Sequence, residues 1–186
     1  MNLDFSDKGR LQVSIIPYLI NVLKEFPEEL GAAASSPALD HIFKVRPENE
    51  KTYLLEEKTQ QFHRTVAQLL FLSARAQIDI QTAVAFLTTR INKPYEDGWF
   101  KLRRVLKYLK GNISLKLTLT VDELSIIKWY VDSSYAIHVD CKVRTGAMVS
   151  MGGGAMTSFS WKHKMNGRSY TGAELIGKYD AMPQVQ

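Results

Sequence analysis

The hydrophobic period of this chain changes once, at Gly111-Asn112, and that change limits the fold more than any other feature. Before it, apolar residues recur at i, i+3, i+4 and i+7, the spacing of one helical face. After it they alternate with polar residues, the spacing of a half-buried strand. The expected fold class is therefore α/β of the α+β kind: a helical N-terminal half over 1–111, then antiparallel strands and one C-terminal helix over 112–186.

Within the first half, LQVSII alternates and leads through Pro17 into a helix with Leu19, Val22, Leu23 and Phe26 on one face, ended by Pro27. Residues 27–60 mix Pro, Ser, Ala and charges with little periodicity and read as an extended connector. Glu56 and Glu57 read as solvated charges near the next helix start rather than as an acid pair. Two helices follow, one with Phe62, Val66, Leu69 and Leu70 on its face, the other with Ile80, Ala83, Val84, Leu87 and Ile91. After the loop NKPYEDG comes WFKLRRVLKYLKG, where Leu102, Val105, Leu106 and Leu109 share a face and Lys101, Arg103, Arg104, Lys107 and Lys110 occupy the others. Such a cationic face is either an ordinary solvated one or a phosphate-contacting one, whose binding would weaken steeply with salt.

In the second half, LKLTLTV and SIIKWYV suggest a hairpin about Asp122-Glu123. TGAMVSM and AMTSFSWK suggest another around Gly152-Gly153-Gly154. The glycines are a hairpin turn rather than a phosphate loop, because no Gly-Lys-Ser/Thr follows and the next element is a strand. The last segment, TGAELIGKYDAM, places Leu175, Ile176 and Tyr179 at helical spacing and stops at Pro183.

No stretch approaches the roughly 18 to 20 apolar residues of a membrane span, and MNLDFSDKGR lacks the order of a secretory signal. The expected location is intracellular, cytoplasmic or nuclear. The lone Cys141 excludes an internal disulfide, and with His138 and His163 it makes no persuasive zinc set; His41 and His63 carry no signal. The formal charge of +5 is compatible with a polyanionic partner, and the excess of Lys and Arg lies mainly in the first 120 residues.

Two carboxylates remain of interest. Asp132 ends the strand SIIKWYV, and Glu174 lies in the first turns of the last helix. Each has a bland explanation, as a turn residue and as an acid near a helix N-terminus. Packed together, the two carboxylates could hold magnesium, a hard cation that takes oxygen ligands. Asp140 reads as a solvated loop residue, and Asp180, six residues past Glu174, faces away from it.

In order, these segments resemble the polymerase-to-ribonuclease H region of copia-type long-terminal-repeat retrotransposon polyproteins. The resemblance rests on Arg75-Ala-Gln-Ile-Asp79-Ile80, on WFKLRRVLKYLKGN with its closing Lys-Tyr-Leu-Lys-Gly, on YVDSSYA, on TGAMVSMGGGAMTSFSWK and on RSYTGAELIG. It implies a thumb or connection segment against a primer and template, then a truncated ribonuclease H-like domain. Asp132 and Glu174 would be its first two catalytic carboxylates, with Mg2+ as cofactor and an RNA/DNA hybrid as substrate. Where the family's helix opens Ser-Ser-Thr-Glu-Ala-Glu, this chain has Ser169-Tyr170-Thr171-Gly172-Ala173-Glu174. The third aspartate of the family, on a later strand, and its final acid fall beyond Gln186. The Tyr-x-Asp-Asp strand of the polymerase is also missing from this stretch. Little or no turnover is expected, and a non-catalytic remnant that binds nucleic acid is the alternative. Other segments of the polyprotein would be partners. A helical protein-interaction module reused by a host has no sequence feature in its favour.

Overall fold

The computed structural model describes residues 1–134, 142–166 and 169–182. Elements follow in the order β1 (Asn2–Asp4), β2 (Arg10–Ser14), α1 (Ile16–Glu25), α2 (Glu56–Arg75), α3 (Gln81–Thr88), α4 (Glu96–Gly111), β3 (Leu117–Thr120), β4 (Lys128–Ser134), β5 (Lys142–Ser150), β6 (Thr157–Asn166) and α5 (Tyr170–Ala181). The mixed α/β class expected from the change of period is what the fold shows. Two compact units divide the chain, one of residues 1–4 with 12–117 and the other of residues 5–11 with 118–186. His138, Asp140, Cys141 and Pro183 lie outside the described residues, as do the side chains of His163 and Asp180.

The first unit is built around the apolar faces of its helices. Phe62, Val66, Leu69 and Leu72 of α2 are buried with Ala83, Val84 and Leu87 of α3 and with Trp99, Leu102, Val105, Leu106 and Leu109 of α4. Leu19 and Val22 of α1 join them, and Pro17 sits in the first turn of α1, where a missing N–H leaves no helix bond unmade. Two apolar residues depart from expectation. Leu70 is exposed because the α2 face turns through Leu69, Leu72 and Ser73 instead, and Ile91 lies beyond the end of α3 and is exposed. Helix α2 also starts within the expected connector, at Glu56.

Trp99 ties α4 to the chain after α1. Its ring stacks on Phe26 with centroids 5.1 Å apart, and its Nε1 donates to Glu28 Oε1 at 3.0 Å. Tyr108, one turn from the end of α4, donates its hydroxyl to Asp79 Oδ2 at 2.5 Å.

In the second unit β4, β5 and β6 form an antiparallel sheet in that order. The register is fixed by Ser133 opposite Thr145 and by Thr145 opposite Trp161, and it places Asp132 opposite Gly146 and Gly146 opposite Ser160. The hairpin expected between the strands now labelled β3 and β4 does not form. β3 belongs to a separate sheet in the order β1-β2-β3, and Asp122 and Glu123 lie in the connection between the two sheets. The reason lies in the glycine turn between β5 and β6. Thr120 N donates to Gly153 O and Asp122 N to Met151 O, so the turn occupies the backbone groups a hairpin would have used. A Cβ on Gly154, which has φ +79°, would stand 2.1 Å from Thr118 O, and one on Gly152 would stand 2.5 Å from Thr120 O. The three glycines thus serve a turn pressed against the β3 backbone.

The Tyr108 contact gives a pH-dependent prediction. Its hydroxyl pKa is pushed up to about 12, first by donation to Asp79, then by burial and by the Asp79 charge. A folded pKa above the unfolded value near 10 means stabilisation that is complete below about pH 10 and lost as pH rises towards 12. Tyr108→Phe is expected to lower urea stability by about 1 kcal/mol near neutral pH and to flatten this alkaline limb. A series of urea titrations across that range checks it.

Candidate functional site

Asp132 lies within β4, not at its end, because pairing continues through Ser134. Strand alternation therefore sets its direction. Ser133 is buried on the face covered by α5, and Asp132 is exposed on the other. Ser133 Oγ and Thr145 Oγ1 share a hydrogen bond of 2.8 Å directly beneath Gly177. A Cβ on Gly177 would stand 1.9 Å from Ser133 Oγ and 2.9 Å from Thr145 Oγ1.

The face of α5 that meets the sheet is Ala173, Gly177 and Ala181, spaced four apart. The residues expected to form that face do not: Leu175 is 70% exposed and Tyr179 75% exposed. Small residues win because the helix lies too close to the strands for large ones. The same packing fixes Glu174, half-buried and one turn ahead of Gly177, while Asp132 is the strand neighbour of the residue that Gly177 meets. The two carboxylates thus come from backbone segments held in direct contact. The side chains themselves are not brought together: Asp132 leaves the sheet on the face opposite the one that α5 covers, while Glu174 lies on the α5 side of β4, an edge strand among the described ones.

The start of α5 accommodates its unusual sequence. Ser169 Oγ accepts from Gly172 N at 3.0 Å, a serine N-cap, and Tyr170 is exposed. As oxygen donors Asp132 and Glu174 suit a hard cation. Neither has a hydrogen-bonded or ionic partner among the described residues. No group of three His, Cys, Asp or Glu residues able to hold a metal occurs among the described residues.

Four of the five cations of α4 have structural work. Lys101 Nζ reaches Asp97 Oδ2 and the carbonyl of Lys44, both at 2.7 Å. Arg103 pairs with Glu28 at 3.1 Å and donates to the carbonyl of Glu29 at 3.3 Å, and Arg104 donates to Ser36 Oγ at 3.0 Å. Lys110 Nζ donates to the carbonyl of Gly31 at 3.0 Å, and Ala34 N to the carbonyl of Lys107 at 3.4 Å. Irregular backbone from 28 to 44 is thereby laid along the helix, with the carbonyls of Glu29, Gly31 and Lys44 satisfied. Lys107 alone of the five has no side-chain partner among the described residues. The closing Lys107-Tyr108-Leu109-Lys110-Gly111 is accounted for nearly residue by residue. Tyr108 holds Asp79, Leu109 is buried, Lys110 holds the connector, and a Cβ on Gly111 would stand 2.8 Å from that of Ala33. Sequence reasoning missed these roles, since helical periodicity says nothing of what lies over the polar face.

Over 172 residues the chain is 26% identical to the "Retrovirus-related Pol polyprotein from transposon TNT 1-94" of Nicotiana tabacum, a match that takes in 90% of this chain. The chain is similar to part of a retrotransposon Pol polyprotein. It spans 13% of that polyprotein's length. No family model matches the chain, and no solved structure matches it significantly. Among the described residues no helix is long and apolar enough to cross a membrane.

Gly177→Ala tests the close approach that positions the two carboxylates. Helix propensity alone favours alanine by about 1 kcal/mol. Overpacking against Ser133 costs about 1–3 kcal/mol and is expected to win, leaving the second unit less stable. Adding Ser133→Ala, which removes the oxygen at 1.9 Å, should recover part of the loss. Chemical denaturation of the two single variants and the double variant checks this, and additive losses would contradict it.

Proposed function

We propose that the chain is the reverse transcriptase thumb or connection segment and the leading ribonuclease H segment of a copia-type polyprotein. On this reading these 186 residues hold an RNA/DNA hybrid without cleaving it. The observation that carries it is the succession of β4, β5, β6 and α5, with Asp132 and Glu174 on the strand and helix that pack together. The likeness to a Pol polyprotein across nine tenths of the chain supports it.

Asp132 and Glu174 would hold magnesium. When bound, such ions activate water and stabilise the leaving oxygen of a phosphodiester. Asp132 is exposed on the face away from α5 and Glu174 lies on the α5 side, so to share an ion both side chains would turn around the β4 edge. Two carboxylates bind and position such ions weakly, which is why these residues alone do not support turnover. A further acidic strand from another polyprotein segment, added along the open β4 edge, would supply what the pair lacks. Binding of the hybrid falls to the cations of α4, with Lys107 available outright and the others already holding the connector.

The test is incubation of the purified chain with a labelled RNA/DNA hybrid in magnesium and in manganese, beside Asp132→Asn. Retention at low salt, release as salt rises and no cleavage are expected. Cleavage abolished by Asp132→Asn would contradict the absence of turnover, and no retention at low salt would contradict the assigned partner.

A further inference from the structure

We propose that a cavity on the cationic side of α4 is a nucleotide-binding site, with the phosphate held by Arg46, Arg104 and Lys107 and the planar base laid on Phe100. The cavity, of about 420 Å³, opens between residues 37–46 of the connector and the 97–107 stretch of α4. That volume lies within the range of small-molecule sites, about 300–1,000 Å³. Five cationic side chains line it against one acid, Asp97.

Pairing decides which of those charges a ligand would meet. Lys101 is matched by Asp97, and Arg103 by Glu28. Arg46, Arg104 and Lys107 have no carboxylate partner among the described residues, leaving about three uncompensated positive charges around one cavity. Arg104 and Lys107 are three apart on the helix and so neighbours on its surface, about 5–6 Å between Cβ atoms. Arg104 uses its terminal nitrogen on Ser36 and keeps its Nε buried without a hydrogen-bond partner among the described residues. A phosphate oxygen is the ligand such a donor favours, since charge-assisted bonds from guanidinium to phosphate are among the strong ones.

The remaining wall selects more than an anion. Phe100 is 67% exposed at the cavity although it lies on α4 beside a well-filled core. With Leu39 and the buried Ile42 it gives the cavity an apolar side facing its cationic one. An uncovered aromatic ring beside a phosphate-binding charge cluster is the arrangement on which bases stack, irrespective of sequence. Inorganic anions would leave that ring unused; a nucleotide engages both sides. The site deepens the nucleic-acid reading of α4 and rests on it only for whether the nucleotide is free or part of a strand. Asp132 and Glu174 take no part.

Adenosine 5′-monophosphate, inorganic phosphate and adenosine are titrated into the full chain at low salt, followed by calorimetry and by amide shifts of residues 97–107. The nucleotide is expected to bind more tightly than either fragment. Lys107→Gln, whose side chain holds nothing in the fold, should weaken it about tenfold, and Phe100→Ala should weaken the nucleotide but not inorganic phosphate. Unchanged circular dichroism in both variants keeps the comparison on binding. A 5′-phosphorylated trinucleotide that displaces the mononucleotide identifies a strand as the source, and one that does not identifies a free nucleotide; both outcomes support the site. No binding, affinity unchanged by both variants, or inorganic phosphate binding as tightly as the nucleotide would overturn it. Since no hybrid is present, failure of hybrid retention in the cleavage assay leaves this result readable by itself.

Discussion

Helix α4 is the constraint on which the first unit depends, because it is used on every side. Its apolar face is buried among α1, α2 and α3, and Trp99 fixes the chain leaving α1. Its cationic face receives a long irregular segment whose carbonyls would otherwise face solvent or nothing. Neutral backbone acceptors bound by Lys and Arg are worth about 1.5–3 kcal/mol each at best and less where exposed. Several together keep a connector of low intrinsic structure in place, and the cavity beside Phe100 exists because the connector is held there.

In the second unit the equivalent role belongs to one close approach. Gly177 lies against Ser133, and that contact sets where the helix turn bearing Glu174 meets the strand bearing Asp132. Both carboxylates stay accessible while Ser133 and Ala173 beside them are buried. Precision of this kind usually comes from rigid elements with small residues at the contact, and here the strand at the contact is an edge strand among the described ones.

Much of this was legible in the sequence, for physical reasons that also explain the failures. Periodicity located α2 and α4 because each buries one broad face, as Leu102, Val105, Leu106 and Leu109 do. Alternation located β5 and β6 because Phe159 and Trp161 share a sheet face apart from Ser160. The same logic misjudged α5, where it picked the large Leu175 and Tyr179 and passed over Ala173, Gly177 and Ala181. Close packing rewards absent volume, which a hydrophobicity pattern cannot register. It also joined β3 to β4 through Asp122-Glu123, since nothing local reveals that the glycine turn takes the backbone partners of Thr120 and Asp122. The cations of α4 were visible as charges, but their carbonyl partners lie as many as 79 residues away along the chain.

The central proposal, that Asp132 and Glu174 contribute to one divalent-metal site around the β4 edge, is tested most directly by paramagnetic broadening. Manganese is titrated into the isotope-labelled chain at substoichiometric levels and amide signals are followed. The expected result is selective broadening around Val131–Ser133 and Ala173–Leu175, lost together in Asp132→Asn and suppressed by excess magnesium. Broadening confined to one of the two segments, or unchanged by the substitution, would contradict the account.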